Sequence, residues 1–508
     1  MFPLRIESRE RFATLRSLLK AAQYEEAEIF GRLGLKTFDG FRSIRQGRPA
    51  EGLSDALDVL VRLFMDAERV DRDVVRTLLA ARDLDTLRTF NLLQDEGGAC
   101  QSTVLLYPVG SHYIASDRPA AADGKPEEAD IVYSALNEST RRFLAALPST
   151  PCENFLELCA GTGIAALRAA RQAGQAWAVD ISARATLFAR FNGLLNQIDN
   201  FTAVQGDLFE AVADQTFDRI CAHPPYMPAV VPKYLYRDGG GDGEEVTRRI
   251  IVDLPSYLRP GGRFYCYCLA SDRRSQAVEQ RVREMLGSAA PEFDVAVVAL
   301  AAMRPSEYFA ALLASRDVTP AQAQEHLTEF ERLAVGRIVA CWIVVQRTGH
   351  SRRVFTVRRQ AGEATGSDEI EWLLGQQTAT LDPPSAGWLW DAKPLVSPGA
   401  QLQIAHRLGD KGWAPAEHAL HTDTPFLLTA RCPPWTEIFL AHCDGGTTVR
   451  EHRAALQDRG VTPGQLSDDV FLALVRALLA GGFIYIEGQL QPPTRHHTSA
   501  ESSAKASS

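Results

Sequence analysis

"NFLELCAGTGIAALRAARQAGQAWAVD", residues 154–180, is the stretch that decides the fold. Its apolar opening reads as a buried strand, Gly161 and Gly163 as a tight turn, and the segment from Ile164 as a helix. "AWAVD" then reads as a second strand. Strand, glycine turn, helix, strand is the repeating unit of a parallel sheet. The two glycines let the backbone turn sharply and approach a ligand without a Cβ in the way, while N–H groups of the following helix face that ligand. By itself the spacing Gly-x-Gly-x-x-Ala over 161–166 suits a dinucleotide as well, and glycine turns also occur for packing alone.

Outward from this unit, strands and helices alternate from about 131 to 358. "FTAVQGD", "FDRICA" and "RFYCYCLA" read as strands, and "SARATLFARFNGLLNQI" and "EEVTRRIIVDLPSYL" as helices. "FDVAVVAL" and "VGRIVACWIVVQRT" add two strands separated by a largely helical insert. The alternation calls for a mostly parallel sheet covered by helices on both faces.

Three carboxylates punctuate the strands. Glu157 sits inside the first, Asp180 ends the second, and Asp207 ends the third in "VQGD". An acid after a strand often caps the next helix, but three on successive strand ends form a pattern. Asp180 is placed to hydrogen-bond ribose hydroxyls, Asp207 to accept from an adenine amino group, and Glu157 to attract a cation. A pyrophosphate is disfavoured among these acids, whereas a sulfonium cation is favoured.

After the fourth strand comes "CAHPPYMP", residues 221–228. Two prolines cannot continue a paired strand, because each lacks the N–H and has its φ fixed. They leave a rigid backbone with free carbonyls beside Tyr226.

These motifs resemble class I S-adenosylmethionine-dependent methyltransferases, and within them the HemK-type glutamine N5-methyltransferases. The matching pieces are "ELCAGTG", "AVDIS", "VQGDLFE", "HPPYMP", "GGGDGEEVTRRII" and "LRPGG", in the family's order. The resemblance implies a seven-stranded, mostly parallel Rossmann-like α/β sheet. It also implies S-adenosylmethionine held by Glu157, Gly161, Gly163, Asp180 and Asp207, with Cys159, Ala160, Ile181 and Leu208 beside them. His223, Pro224, Pro225 and Tyr226 fall on the family's catalytic tetrad, Asn/Asp-Pro-Pro-Tyr/Phe, which presents a planar amino group to the methyl donor. The first proline's carbonyl and the Asn or Asp side chain accept its two N–H groups, and the aromatic ring supports it.

His223 departs from that pattern. A neutral imidazole offers one acceptor nitrogen in place of the Asn oxygen, or a base for a hydroxyl target, or it merely fills space. Three functions stay open: N-methylation of a macromolecule, protein slightly preferred over nucleic acid; methylation of a small molecule; and donor binding without catalysis. A dehydrogenase leaves Pro-Pro-Tyr and Gly206-Asp207 unexplained.

Two modules flank the sheet. Residues 1–117 read as short helices followed by a β-hairpin, "STVLLYPVGSHYIASD", turning near Pro108-Val109-Gly110, the pattern of a winged helix. Residues 118–130 read as a linker. Residues 363–490 read as a second winged-helix-like module, with Ser467 capping a helix that Gly481-Gly482 ends. Residues 491–508 are polar and read as a disordered tail. The span 131–358 carries every candidate site residue and is expected to fold alone.

Near the site, "YRDGGGDGEE" (236–245) reads as a mobile loop whose acids meet a basic target or solvent. Arginines at 273–276 and 351–359 read as solvated faces rather than a nucleic-acid track. The 508 residues are 45% hydrophobic and 23% charged, with a formal charge of −9. That is a soluble, globular composition with no electrostatic pull toward nucleic acid. Nine cysteines without a Cys-x-x-Cys pair read as a reduced, cytoplasmic protein with no metal site. The start carries no apolar leader, and no run suits a membrane span.

Overall fold

The computed structural model describes residues 3–38, 52–118, 128–229, 233–315, 318–381, 386–460, 466–488 and 493. The expected linker (apart from its ends) and nearly all of the expected tail lie outside the described residues. At its centre the chain forms one sheet. Its strands are β1 (Cys152–Leu158), β2 (Ala173–Asp180), β3 (Phe201–Gln205), β4 (Phe217–Ala222), β5 (Leu258–Arg273) and β6 (Phe293–Met303). They continue with β7 (Val335–Arg347), β8 (Thr356–Ala361), β9 (Gln401–Gly409), β10 (Gly412–Thr422) and β11 (Phe426–Arg431). The spatial order is β9-β10-β11-β8-β6-β7-β5-β4-β1-β2-β3.

Two expectations are corrected here. The sheet has eleven strands, not seven, because β8 pairs beside β6 and carries β11, β10 and β9 with it. It is also mixed rather than mostly parallel. β1 to β5 run parallel, but β7 is antiparallel to both β5 and β6, and the added strands β9 to β11 are antiparallel.

The strands around β1 are apolar on both faces, as a sheet covered by helices on both sides requires. Successive residues feed opposite cores: Phe155, Tyr265 and Tyr267 pack in one cluster, and Leu156, Leu158, Phe264, Cys266 and Cys268 in the other. Cys266 and Cys268 therefore serve packing. The strand order switches between β1 and β4, which pair in parallel with Leu156 beside Ile220. Their carboxyl ends open the crevice in which ligands of such sheets bind.

The helices that matter for the site are α1 (Ile164–Ala169), α2 (Ala183–Leu195) and α3 (Glu245–Tyr257), with α4 (Val278–Met285), α5 (Pro305–Ala314) and α6 (Pro320–Arg332). Helices α5 and α6 are the expected insert. They pack on Met227 through Phe309, Ala323 and Phe330.

Before the sheet, helix Ala56–Leu60 continues as a π-helical turn, Val61–Met65. Short strand Val70–Asp71, helices Arg72–Leu78 and Ala81–Thr89, and hairpin Leu93–Glu96/Ala99–Ser102 follow, the three strands forming a small sheet. The expected hairpin lies just after it, Leu105–Val109 against His112–Ser116, with Gly110 at φ 57° in the turn.

This second hairpin is tied to the central sheet. The Asn192 amide on α2 accepts from Ala115 N at 2.7 Å and donates to Ala115 O at 3.1 Å and Thr162 O at 3.0 Å. Asn196 does the same for Tyr113, at 2.9 and 2.7 Å. Phe12, Phe90 and Phe191 meet edge to face or tilted. One core thus runs from residue 12 into the sheet.

In the C-terminal part, two helices, Thr436–Ala441 and Val449–Asp458, precede the one capped by Ser467. Thr448 and Glu451 form a capping box that starts the second. Ser467 caps helix Asp468–Ala480, as expected. Among the described residues no helix is long and apolar enough to cross a membrane.

Candidate active site

A cavity of about 530 Å³ lies at the carboxyl ends of β1, β2, β3 and β4. Of the expected donor-binding residues, Glu157, Cys159, Ala160, Gly161, Asp180, Ile181, Asp207 and Leu208 line it. Gly163 does not. It sits at φ 74° as the residue before α1, where a Cβ would come within 3.0 Å of Ala189 Cβ and 3.2 Å of Phe201. The turn and the close packing each call for glycine there.

The glycine turn is held by the acids around it. Asp180 accepts from Gly161 N through Oδ2 and from Ser182 N through Oδ1, both at 2.9 Å. One carboxylate therefore fixes both the first and the second strand-to-helix turns. Burial raises its pKa despite those two N–H groups. Cys159 and Leu208, beside the first and third acids, hold positive φ of 53° and 52°. Such backbone is strained for residues with a Cβ, and it is stored here at the cavity wall.

Glu157 is buried, with Oε2 accepting from Ala166 N at 2.7 Å inside α1. Burial is the main reason its pKa rises to about 8, opposed by the Ala166 and Ala165 N–H groups and assisted by the charge of Asp180. Asp207 is the most open of the three and pairs with Arg249 of α3 at 2.8 Å. Carboxylates of this kind suit a ligand carrying hydroxyls, an amino group and a positive charge. They oppose a polyphosphate.

The proline segment forms the adjoining wall. His223, Pro225 and Tyr226 line the same cavity, while Pro224 is buried and does not. The Pro224 carbonyl accepts from no backbone N–H among the described residues. The His223 ring stands among three aromatic rings: Phe143 at 5.6 Å, Tyr267 edge-on at 5.1 Å and Tyr226 at 6.1 Å. Burial lowers its pKa to about 4, so the imidazole is neutral near pH 7.

The glycine-rich stretch expected to be mobile is instead packed against this segment. Tyr226 N and Met227 N both donate to Arg237 O, at 3.1 and 2.8 Å, and Gly239 N donates to Met227 O at 2.8 Å. A Cβ on Gly239 would fall 2.7 Å from Pro225 O, and one on Gly243 2.5 Å from Tyr226 O. The glycines exist for this close backbone approach. Of its acids, Glu245 is exposed, whereas Asp242 and Glu244 are engaged inside the fold. Buried Glu244 pairs with Arg281, and Asp242 with Arg248 and Arg273.

Of the arginines at 351–359, Arg353 is exposed as expected, whereas Arg352, Arg358 and Arg359 are engaged inside the fold. Arg352 pairs with fully buried Asp294, and Arg358 with Asp272 at 2.9 Å.

Several cavity residues escaped the sequence reading. Tyr133 and Tyr236 pair at 4.5 Å at its mouth, and Phe143 stands beside His223. From the insert come Tyr308, Phe309 and His326, the last stacked on Phe309 at 5.5 Å with its Nδ1 buried and unpartnered. None belongs to a local motif. Arg249 alone carried a signal, lying on the helix that follows the glycine stretch.

Residues 131–290 match the family model of the methyltransferase small domain. A ribosomal protein uL3 glutamine methyltransferase of Bradyrhizobium diazoefficiens is 37% identical over 131 residues, 23% of this chain and 41% of its own. A release factor glutamine methyltransferase of Rhodopirellula baltica is 33% identical over 153 residues, 27% and 50% of the two chains. A candidate protein N5-glutamine methyltransferase of Methanocaldococcus jannaschii is 38% identical over 117 residues, 22% and 58%. The chain spans about half the length of these curated relatives. Over that span its resemblance to HemK-type methyltransferases holds.

Proposed function

We propose that the chain binds S-adenosylmethionine and methylates a nitrogen of a macromolecular target, a protein amide in preference to RNA or DNA. One observation carries this: a single cavity joins the carboxylates on β1, β2 and β3 to His223, Pro225 and Tyr226 after β4. The relatives named above as acting on ribosomal and release-factor glutamines support a protein target.

The residues fit the donor. Asp180 retains lone pairs for ribose hydroxyls after its two backbone bonds. Asp207 and Leu208 border the place of the adenine, with Ile181 on its apolar side. Glu157 would place near the cationic end a buried carboxyl that ionises as the cation arrives. When bound, S-adenosylmethionine supplies a methyl group activated by its sulfonium centre.

The chain's own part is positioning, which is most of the catalysis in an in-line displacement. Neutral His223 accepts one N–H of the target amide, and the Pro224 carbonyl accepts the other, so the nitrogen lone pair points at the methyl. Tyr226 supports the planar group. Phe143 and Tyr267 keep the imidazole dry and uncharged.

The remaining parts follow. Helix, short strand, two helices and hairpin over 56–102 are the order of a winged helix, with Gly97-Gly98 at the tip of its wing. We assign 1–117 and 363–490 as target-positioning modules around the catalytic part, 131–358. Nine free cysteines suit a reducing cytoplasm. Calorimetry is the test. S-adenosylmethionine is expected to bind and NAD not to bind; NAD binding with S-adenosylmethionine excluded would overturn the reading.

A further inference from the structure

A second cavity, of about 430 Å³, lies at the other end of the sheet and shares no lining residue with the first. It is bounded by the hairpin turn at Gly110–His112, by the chain after helix Glu138–Ala145, and by α1 with the residues that follow it. Its polar side chains include His112, Arg168 and Arg171, and no acid lines it.

That imbalance stands out in a chain whose formal charge is −9. Elsewhere the arginines near cavities are matched, as Arg249 is by Asp207 and Arg281 by Glu244. The exposed Arg168 guanidinium has no hydrogen bond or ion pair among the described residues. Arg171 donates to Ser111 Oγ at 2.9 Å and keeps its other N–H groups. His112 is buried beside them, and its pKa is held to about 4 by burial and then by Arg171, Arg168 and Arg16. The acid that acts on Arg168 is Glu26, whose carboxylate is taken by Gly110 N at 2.8 Å. Arg168 and Arg171 are exposed to solvent on this wall, so an anion entering the cavity meets two guanidiniums that no acid of the wall neutralises.

The other walls are apolar. Leu144, Leu147, Pro148 and Phe155 face the charged side. The volume is that of a small-molecule site rather than of a lone ion. Two guanidiniums meeting an imidazole suit a dianion better than a carboxylate.

We propose that this cavity binds a small organic phosphate, its phosphate held by Arg168 and Arg171 beside His112 and its body resting on Leu147, Pro148 and Phe155. The site joins the hairpin of the N-terminal part to α1, whose other end forms the donor cavity. The proposal does not depend on methyl transfer.

Phenyl phosphate, inorganic phosphate and benzoate are the probes, titrated at constant ionic strength into full-length protein with labelled histidine. Phenyl phosphate is expected to bind at least tenfold tighter than either other probe and to raise the His112 titration midpoint from about 4. Arg168→Ala is expected to weaken it at least tenfold while S-adenosylmethionine affinity and the melting temperature stay unchanged. Equal binding of benzoate, an unmoved His112, or an Arg168→Ala variant that still binds phenyl phosphate as the parent does would each overturn the assignment.

Discussion

The rings of His223 and Tyr226 lie nearly parallel, 18° between planes and 6.1 Å between centroids, on one wall of the donor cavity. The intervening Pro224-Pro225 fixes that relation, since neither φ is free. Two flat groups, one with an acceptor nitrogen, meet where the resemblance puts a planar amide.

On the proposed function, His223 should set the acid limit of turnover. An ordinary histidine titrates near ~6.5, but burial brings this one to about 4. The protonated ring has no acceptor, so turnover at saturating donor should stay flat as pH falls past 6.5 and drop only toward 4. The same shift costs stability as pH falls from the unfolded value toward the folded one, because the unfolded chain then binds more protons. His223→Asn should keep activity on an amide and His223→Ala should lose it. A rate profile with an acid limb at 6.5, or two variants that match the parent, would remove His223 from the account.

Donor binding should release a proton from Glu157. Its pKa of about 8 leaves the carboxyl mainly protonated at pH 7. A cation beside it favours ionisation, so affinity should rise with pH up to about 8. Calorimetry in buffers of different ionisation enthalpy should show close to one proton released at pH 7, and none in Glu157→Gln. Release unchanged in that variant would place the proton elsewhere.

Much of this was legible because it is local. Strand, turn and helix around Gly161, the acids at strand ends and the prolines after β4 each lie within a few residues of one another. What failed to show was set by distance. Asp207 meets Arg249 across 42 positions, and His326 reaches the cavity from an insert. The strands β9 and β10 are largely exposed, so they lack the apolar alternation that marks a strand. Acids in 236–245 were misjudged because their partners, Arg273 and Arg281, lie on β5 and α4. The packing demand on Gly163 was not legible, since Ala189 and Phe201 come from later in the chain.

Gly243→Ala should separate geometry from binding. The new Cβ would meet Tyr226 O at 2.5 Å, and the residue sits at φ 75°. Overpacking of this kind costs about 1–3 kcal/mol and shifts backbone. Turnover should fall on the order of 10²-fold with S-adenosylmethionine affinity unchanged. Equal losses in both would mean that the loop supports the donor site instead.

Removal of residues 1–117 should unfold the remainder. It strips the hairpin from Asn192 and Asn196 and uncovers Phe191. The span 131–358 alone is therefore expected to lack a cooperative melt, against the expectation that it folds independently. A cooperative transition with donor bound would show that the shared core is dispensable.

Methyl transfer itself is the most direct test. Full-length protein is incubated with labelled S-adenosylmethionine and fractionated cell protein, RNA, DNA and small molecules, and the label is counted in each. The account predicts label in protein, on a glutamine side chain, and its loss in His223→Ala. Label confined to RNA, DNA or small molecules, or donor bound with label in no fraction, would contradict it.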